Sequence, residues 1–244
     1  MEPATIALQD KVAIVTGGGS GVGRASGLVL AAEGMIPVLV GRDAQRLDET
    51  ARQIADQGGR SLPIAADVRD EGAVAALVRR TVDELGGVDA LVMAAAVGLY
   101  GRIETYALAD WQETMATNLT AAFLCSRAVL PSMRSRGGGA IIAIASGAGK
   151  QGFPELAAYS ASKFGLIGFM QSLAAEVKAD GIKVSTVAPG SILTDFAGQS
   201  AEKKRESRTA GKSYLEAEDV AAAVRYLLQQ PARAWTQEMN LWPV

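Results

Sequence analysis

Tyr159 and Lys163 stand four residues apart in the run YSASK, and Ser146 precedes the tyrosine by 13 positions. On a helix, positions i and i+4 share a face, so the phenol and the ammonium can point into one cleft. A free tyrosine has a pKa of about 10 and is a poor acid–base catalyst at neutral pH; an ammonium nearby favours the phenolate and lowers that value. The pair reads as a tuned proton donor and acceptor, with Ser146 as a hydrogen-bonding partner for the reacting oxygen. Spacing alone also fits a half-buried tyrosine beside a solvated lysine, so the surrounding elements decide. The chain has no histidine, which rules out a Ser-His-Asp triad, a Cys-His dyad and the usual histidine-ligated zinc sites.

The N-terminal segment supplies those elements. Val12, Ala13, Ile14 and Val15 form an apolar run suited to a strand buried on both faces. Gly17, Gly21 and Gly23 follow in the spacing TGxxxGxG, and a helical run comes next. Glycines there permit a tight turn and a close backbone approach to a pyrophosphate, whose charge is favoured at the helix N-terminus. Strand-like and helical runs then alternate. Strands are expected near 11–17, 36–41, 61–66, 88–95, 139–145, 182–188 and 237–242. Helices are expected near 22–34, 43–57, 70–85, 110–136, 157–179 and 217–230. Gly34, Gly58, Gly86 and Gly137 fall just past helical runs, where a left-handed residue is needed. This order implies an α/β fold: a doubly wound parallel sheet of about seven strands with helices on both faces, in one domain over 1–244.

Together these residues resemble the short-chain dehydrogenase/reductase family, in its shorter branch of single-domain NAD(P)-dependent oxidoreductases. The resemblance rests on TGGGSGVG at 16–23, Asp67-Val68, Asn118, Ser146, Tyr159, Lys163 and PGSILT at 189–194, in the family's order. It implies hydride transfer between a nicotinamide and a carbonyl carbon. Tyr159 would be the general acid/base, and Lys163 would lower its pKa and bond the nicotinamide ribose. Ser146 would hold the carbonyl oxygen, and Asn118 would anchor a water in a proton relay; a plain helix-surface amide is the other reading of Asn118. Gly19, Ser20 and Val22 would join the three spaced glycines around the pyrophosphate. Pro189, Gly190, Ile192 and Thr194 would hold the nicotinamide end, and Asp67 and Val68 the adenine. In the fourth strand, Met93-Ala94-Ala95-Ala96 replaces the family's usual Asn-Asn-Ala-Gly. No polar role transfers there, and only the chain path at Ala95 is kept as a cofactor contact.

The second strand ends VLVGRDAQRL, with Gly41 where a relative preferring NAD would place an acid and Arg42 next to it. A missing carboxylate and an added guanidinium favour NADP(H) over NAD(H). Asp43 is expected to cap the following helix, the alternative being a bond to the ribose. Ser20 stands where many NADP-using relatives carry a second basic residue.

The expected substrate is a ketone or secondary alcohol in a largely apolar pocket that includes Leu99, Tyr100, Phe153, Leu156, Ile192 and Phe196. Lys150 is expected to face water, a substrate acid group being its other use. A 3-oxoacyl thioester is the alternative substrate class, with Arg134 and Arg136 as a basic surface for an acidic carrier. The tyrosine–lysine spacing of four argues against an enoyl reductase, and the absence of GxxGxxG and of a second domain against an epimerase. A weakly active, NADP-binding redox sensor is the alternative of a different kind. The segment 191–214 is read as a lid over the substrate, or else a mobile surface connection. Cys125, in AAFLCSRAVL, is expected to be a buried core residue. Net charge is −2, and with no basic cluster, no stretch of about 18 apolar residues and no signal pattern, the expected setting is cytoplasmic, without nucleic acid or membrane partners. Ala121, Ala122, Phe123, Leu166, Ile167, Phe169 and Met170 are more apolar and small residues than one sheet face can cover. Self-association to a homotetramer is expected, with a C-terminal contact through Trp242, or to a homodimer without it.

Overall fold

The computed structural model describes residues 6–196, 198–209 and 211–244, with the side chains of Arg208 and Thr209 excepted. Seven strands form one parallel sheet: β1 (Val12–Thr16), β2 (Ile36–Gly41), β3 (Leu62–Ala65), β4 (Ala90–Met93), β5 (Gly139–Ile144), β6 (Ile182–Pro189) and β7 (Glu238–Leu241), in the order β3-β2-β1-β4-β5-β6-β7. The helices are α1 (Gly21–Ala32), α2 (Ala44–Asp56), α3 (Glu71–Leu85), α4 (Leu108–Met115), α5 (Ala121–Ser135), α6 (Ala157–Val177), α7 (Ala201–Thr209) and α8 (Ala217–Gln229). Along β1 the side chains alternate: Val12 and Ile14 enter the core under α3, α5 and α6, while Ala13 and Val15 enter the core under α1 and α8. Both faces are therefore covered, as continuous apolar strands require. Sheet order reverses between β1 and β4, and in such sheets ligands bind at the carboxyl ends of the strands beside that switch point.

Helix ends follow local chemistry. Asp43 caps α2 by accepting from the Arg46 N–H at 3.2 Å, and Asp70 caps α3 by accepting from the Ala73 N–H at 2.6 Å. Gly34, Gly58, Gly86 and Gly137 all have φ between +77° and +82°, the left-handed stop expected of them. Cys125 is buried, and burial pushes its thiol up to about 12.

Two expectations need correction. The single helix expected over 110–136 is interrupted by a π-turn at Ala116–Thr120 between α4 and α5. One extra residue per turn is invisible to apolar periodicity, and such insertions often mark functional positions. The patch assigned to self-association is mostly interior: Ala121, Ala122, Leu166, Ile167 and Met170 all pack in the core under α5 and α6. Phe123 remains exposed and Phe169 half-buried. No helix among the described residues is long and apolar enough to cross a membrane.

Candidate active site

A cleft of about 990 Å³ runs along the carboxyl edge of the sheet. Its first wall is the turn from β1 to α1. Gly17 has φ +72°, and a Cβ there would lie 3.1 Å from Ala95 N, so its backbone presses on β4's end. A Cβ on Gly23 would lie 2.2 Å from Gly17 O, so glycine is obligatory for the turn. Ser20 stands at the N-cap of α1 without a side-chain cap bond, and the first turn holds no acid. The positive end of the helix is thus left for an anion. Gly17, Gly19, Ser20, Gly21 and Val22 line the cleft; Gly23 does not and acts by packing. Ala94, Ala95 and Ala96 also line it, and the Thr16 hydroxyl accepts from the N–H groups of Ala94 and Ala95, each at 3.1 Å. That hydroxyl ties β4's end to β1 without the family's amides, a tie the sequence reading missed.

The second wall holds charge. Gly41, Arg42, Asp67 and Val68 line the cleft, and Arg42 is close enough to Asp67 to help lower the pKa of its carboxyl. The larger cause is Arg69, whose guanidinium grips both Asp67 oxygens at 2.5–3.0 Å and is itself paired with Glu113. Asp67 is accordingly an ionised acceptor, holding the Arg69 guanidinium and also the Arg69 N–H at 3.0 Å. Arg46, one turn beyond Arg42, lines the same wall and was overlooked; a Cβ on Gly19 would lie 2.9 Å from Arg46 Cβ. Asp43 is engaged by the α2 N-terminus and by Arg46 Nε at 3.3 Å, which leaves it a capping role rather than a ribose bond. The Thr117 hydroxyl lines this cleft, buried and without a partner.

The third part is the acid–base group. Ser146 follows β5, and Tyr159 and Lys163 project from α6; all three line the cleft. Ser146 Oγ accepts from the Ala148 N–H at 3.1 Å. Burial dominates the phenol: Tyr159 is pushed up to about 12, against the opposite pull of Ser146. The expected lowering by Lys163 is not what governs this structure. Lys163 is 2% exposed, donates from Nζ to Ile144 O at 2.8 Å, and lies 5.6 Å from the Tyr159 ring centroid. Burial brings its ammonium down to about 7. Asn118 lies behind the cleft wall in the π-turn. Its side chain exchanges hydrogen bonds with both the N–H and the C=O of Val97, at 2.8 and 2.9 Å, and donates to Ser162 Oγ at 3.0 Å. It is not a surface amide, and a small cavity lined by Thr117, Asn118 and Lys163 lies against it.

Beyond β6, Pro189, Gly190, Ile192 and Thr194 line the cleft, and the Thr194 methyl lies 3.4 Å from where a Gly21 Cβ would be. The 191–214 segment therefore reaches back over the glycine turn, although Ala197 and Ala210 lie outside the described residues. Asp195 caps α7 by accepting from the Ala201 N–H at 2.6 Å. Lys204, 9% exposed, donates to the carbonyls of Ile192 and Thr194 at 3.2 and 2.7 Å. Of the expected pocket residues, Tyr100, Phe153, Leu156, Ile192 and Phe196 line the cleft; Leu99 does not. Lys150 is exposed, as expected, and pairs with Glu238. Arg134 and Arg136 are tied to Asp180 and Asp89, so neither is a free basic contact. Trp242 lines this end of the cleft within its own chain. β6 and β7 pair with Pro189 opposite Leu241, which carries Trp242 next to Gly190.

A nicotinamide dinucleotide fits this cleft: a glycine cradle that a Cβ would fill, an uncompensated helix N-terminus, and two arginines at the far end. A sequence profile of short chain dehydrogenases matches residues 11–205. A 3-oxoacyl-[acyl-carrier-protein] reductase of Synechocystis is 36% identical over 230 residues, 94% of this chain and 93% of that protein. A glycine betaine reductase of Emericella nidulans is 34% identical over 97% of this chain, which spans 19% of that longer protein. Among solved structures, a metagenomic short-chain oxidoreductase in complex with NADP superimposes with a TM-score of 0.85 at 33% identity, covering 98% of this chain and 99% of the other. With this cleft, this sheet order and these matches, the chain belongs to the short-chain dehydrogenase family of nicotinamide-dependent oxidoreductases.

Proposed function

We propose that the chain is an NADP(H)-dependent oxidoreductase that interconverts a ketone and a secondary alcohol, with Tyr159 as its general acid/base. The observation that carries this reading is the convergence of Ser146, Tyr159 and Lys163 at one end of a cleft whose other end is a glycine cradle. A bound nicotinamide supplies hydride transfer to or from the carbonyl carbon. Tyr159 gives its proton to the carbonyl oxygen in reduction and takes it back in oxidation. A phenol whose pKa is near 12 stays protonated at neutral pH, which suits the donor role. Ser146 holds the same oxygen, and Lys163 returns the proton to the phenolate. Asn118 is assigned to shaping the wall at Val97 and Ser162 behind these groups. Arg42 and Arg46 favour the 2′-phosphate of NADP, a preference that the NADP complex of the metagenomic relative supports.

The 191–214 segment is assigned as the substrate lid, closed against Gly21 by Thr194. Reduction of a 3-oxoacyl thioester is a second reading, favoured by the Synechocystis relative. Against it stands the engagement of Arg134 and Arg136 by carboxylates of their own chain.

Oxidation of NADPH at 340 nm with a panel of ketones tests the proposal, with Tyr159→Phe as control. The variant keeps the ring and its edge contact to Phe196, centroids 5.7 Å apart, and should bind NADPH normally. Turnover should fall roughly 10²–10⁴-fold, the usual contribution of a general acid. Turnover within about tenfold of the unmodified protein sinks the assignment.

A further inference from the structure

Gly147 follows Ser146 and Gly190 follows Pro189, and the same indole covers both. A Cβ on Gly147 would lie 2.6 Å from Trp242 Cη2, and one on Gly190 would lie 3.0 Å from Trp242 Cε3. The benzo edge of Trp242 therefore occupies space that two glycines leave open, beside the groups assigned to the carbonyl oxygen. Pro243 adds to the wedge, its Cδ 2.9 Å from a Gly190 Cβ. With one edge of the indole seated this closely, Trp242 is still 54% exposed, and it lines the cleft. A large apolar ring held rigidly at a reacting centre, with its remaining surface open, is a contact surface awaiting a partner.

The charges around it are accounted for. Lys150 is paired with Glu238, the residue that opens β7. Lys163 is turned to Ile144 O, and Lys204 to the carbonyls of Ile192 and Thr194. Phe153, Leu156 and Phe196 add apolar wall to the same cleft. Ionic groups remain on the lid segment, where Asp195 and Lys212 line the cleft.

We propose that the open surface of Trp242 is the substrate subsite for a flat, uncharged aryl group attached to the reacting carbonyl, so that the preferred substrates are aryl ketones and the corresponding benzylic secondary alcohols. This rests on the ketone–alcohol reading of the site. Offset or edge contact between the substrate ring and the indole adds to the area that both bury. Loss of the indole therefore selects against ring-bearing substrates more than against small ketones.

The test compares acetophenone, 2-butanone, phenylglyoxylate and the N-acetylcysteamine thioester of acetoacetate as substrates of the intact protein, Trp242→Ala and Trp242→Phe, at saturating NADPH. The expected order for the intact protein puts acetophenone first. Trp242→Ala should lower kcat/KM for acetophenone at least tenfold more than it lowers that for 2-butanone. Trp242→Phe should restore most of the loss. Equal losses for both ketones, no loss for either, or a preference for the anionic ketone or the thioester overturns the inference.

A second measurement does not depend on turnover. Calorimetry of acetophenone binding to the oxidised-cofactor complex should show affinity reduced tenfold or more in Trp242→Ala. Unchanged affinity, or no binding by the intact protein, overturns the subsite even where ketone reduction is observed. Acetophenone binding that depends on Trp242 without any ketone turnover leaves the subsite standing and defeats the reaction assigned to it. A change of molecular mass in Trp242→Ala with the substrate ratio unaltered assigns the indole to a subunit contact instead.

Discussion

Lys163 has three N–H donors, and the described structure gives it one carbonyl, Ile144 O, in a nearly sealed site. Its ordinary pKa of 10.5 falls to about 7 because burial penalises the ammonium. Between those values the unfolded chain keeps a proton that the folded chain gives up. The unfolded state then binds more protons, so stability rises with pH across that window. The penalty is full below pH 7 and gone above 10.5. Tyr159 and Cys125 act in the opposite sense, since their folded values near 12 lie above ordinary values of 10.0 and 9.0. The unfolded chain loses those protons first, and stability declines from about pH 9 upward. Thermal unfolding between pH 6 and 11 should therefore climb, level near pH 9 and fall. Lys163→Met should remove most of the climb while keeping the fall, a remainder belonging to Lys183 and Lys204, whose values burial also lowers, and a Met variant with the original climb would place its origin elsewhere. Arg42 carries the second residue-scale prediction. Charge-assisted bonds to phosphate are the strong ones, so Arg42→Ala should weaken NADPH binding far more than NADH binding. Pairing it with Arg46→Ala should deepen the difference, and Gly41→Asp should turn preference toward NADH. Equal losses for both cofactors in a fluorescence titration would make the arginines structural.

At the scale of elements, the segment 191–214, which we propose as the lid, is tied at its base by backbone hydrogen bonds and by one buried lysine. Leu193 N–H and Leu215 N–H bond across its base, and Lys204 reaches from α7 into the carbonyls of Ile192 and Thr194. Burial lowers the Lys204 pKa, while Asp195 resists that. Lys204→Met keeps the stem and removes both bonds, leaving two carbonyls to seek water at roughly 1–3 kcal/mol each. Because lids open locally, that cost should appear as faster proteolysis within 191–214 and a higher KM, with the global melting temperature nearly unchanged. A protease pattern identical to that of the unmodified protein would show that Lys204 does not hold the segment. What the sequence made legible divides on the same line. Tyr159, Lys163, Ser146 and the glycine turn could be read because their geometry is set by neighbours within one or two elements. Arg46 was legible too, one helical turn from Arg42. Lys204 and Trp242 were not, because strand register and a 12-residue loop closure bring them to the cleft. Nor was the π-turn, since the same apolar residues satisfy either winding at that point. Once formed, it sets Asn118 against Val97.

The whole molecule presents a smaller apolar face than its composition suggested. Five of the seven residues expected to pair subunits close the core beneath α5 and α6 instead. On α5 and α6 the large apolar side chains left outside are aromatic: Phe123 and Phe164, 43% and 47% exposed, with Phe169 in edge contact with Phe123 at 6.5 Å. Arg127 lies over the Phe123 ring at 4.9 Å and pairs with Glu71, so part of that face is already screened by its own chain. The patch around Phe123, Phe164 and Phe169 is the surface on which we propose a two-fold dimer. A tetramer needs a second contact, for which the edge strand β7 is open on its outer side. The two requirements separate cleanly by mass. Light scattering at micromolar concentration should give a multiple of 25.3 kDa, four chains if both contacts form and two if only the aromatic face does. Phe123→Glu with Phe164→Glu places two carboxylates across the symmetry axis from their own copies and should break the aromatic contact while ketone turnover within each chain persists. A mass near one chain for the unmodified protein would refute self-association, and it would assign those rings to the solvent-facing side of a monomer.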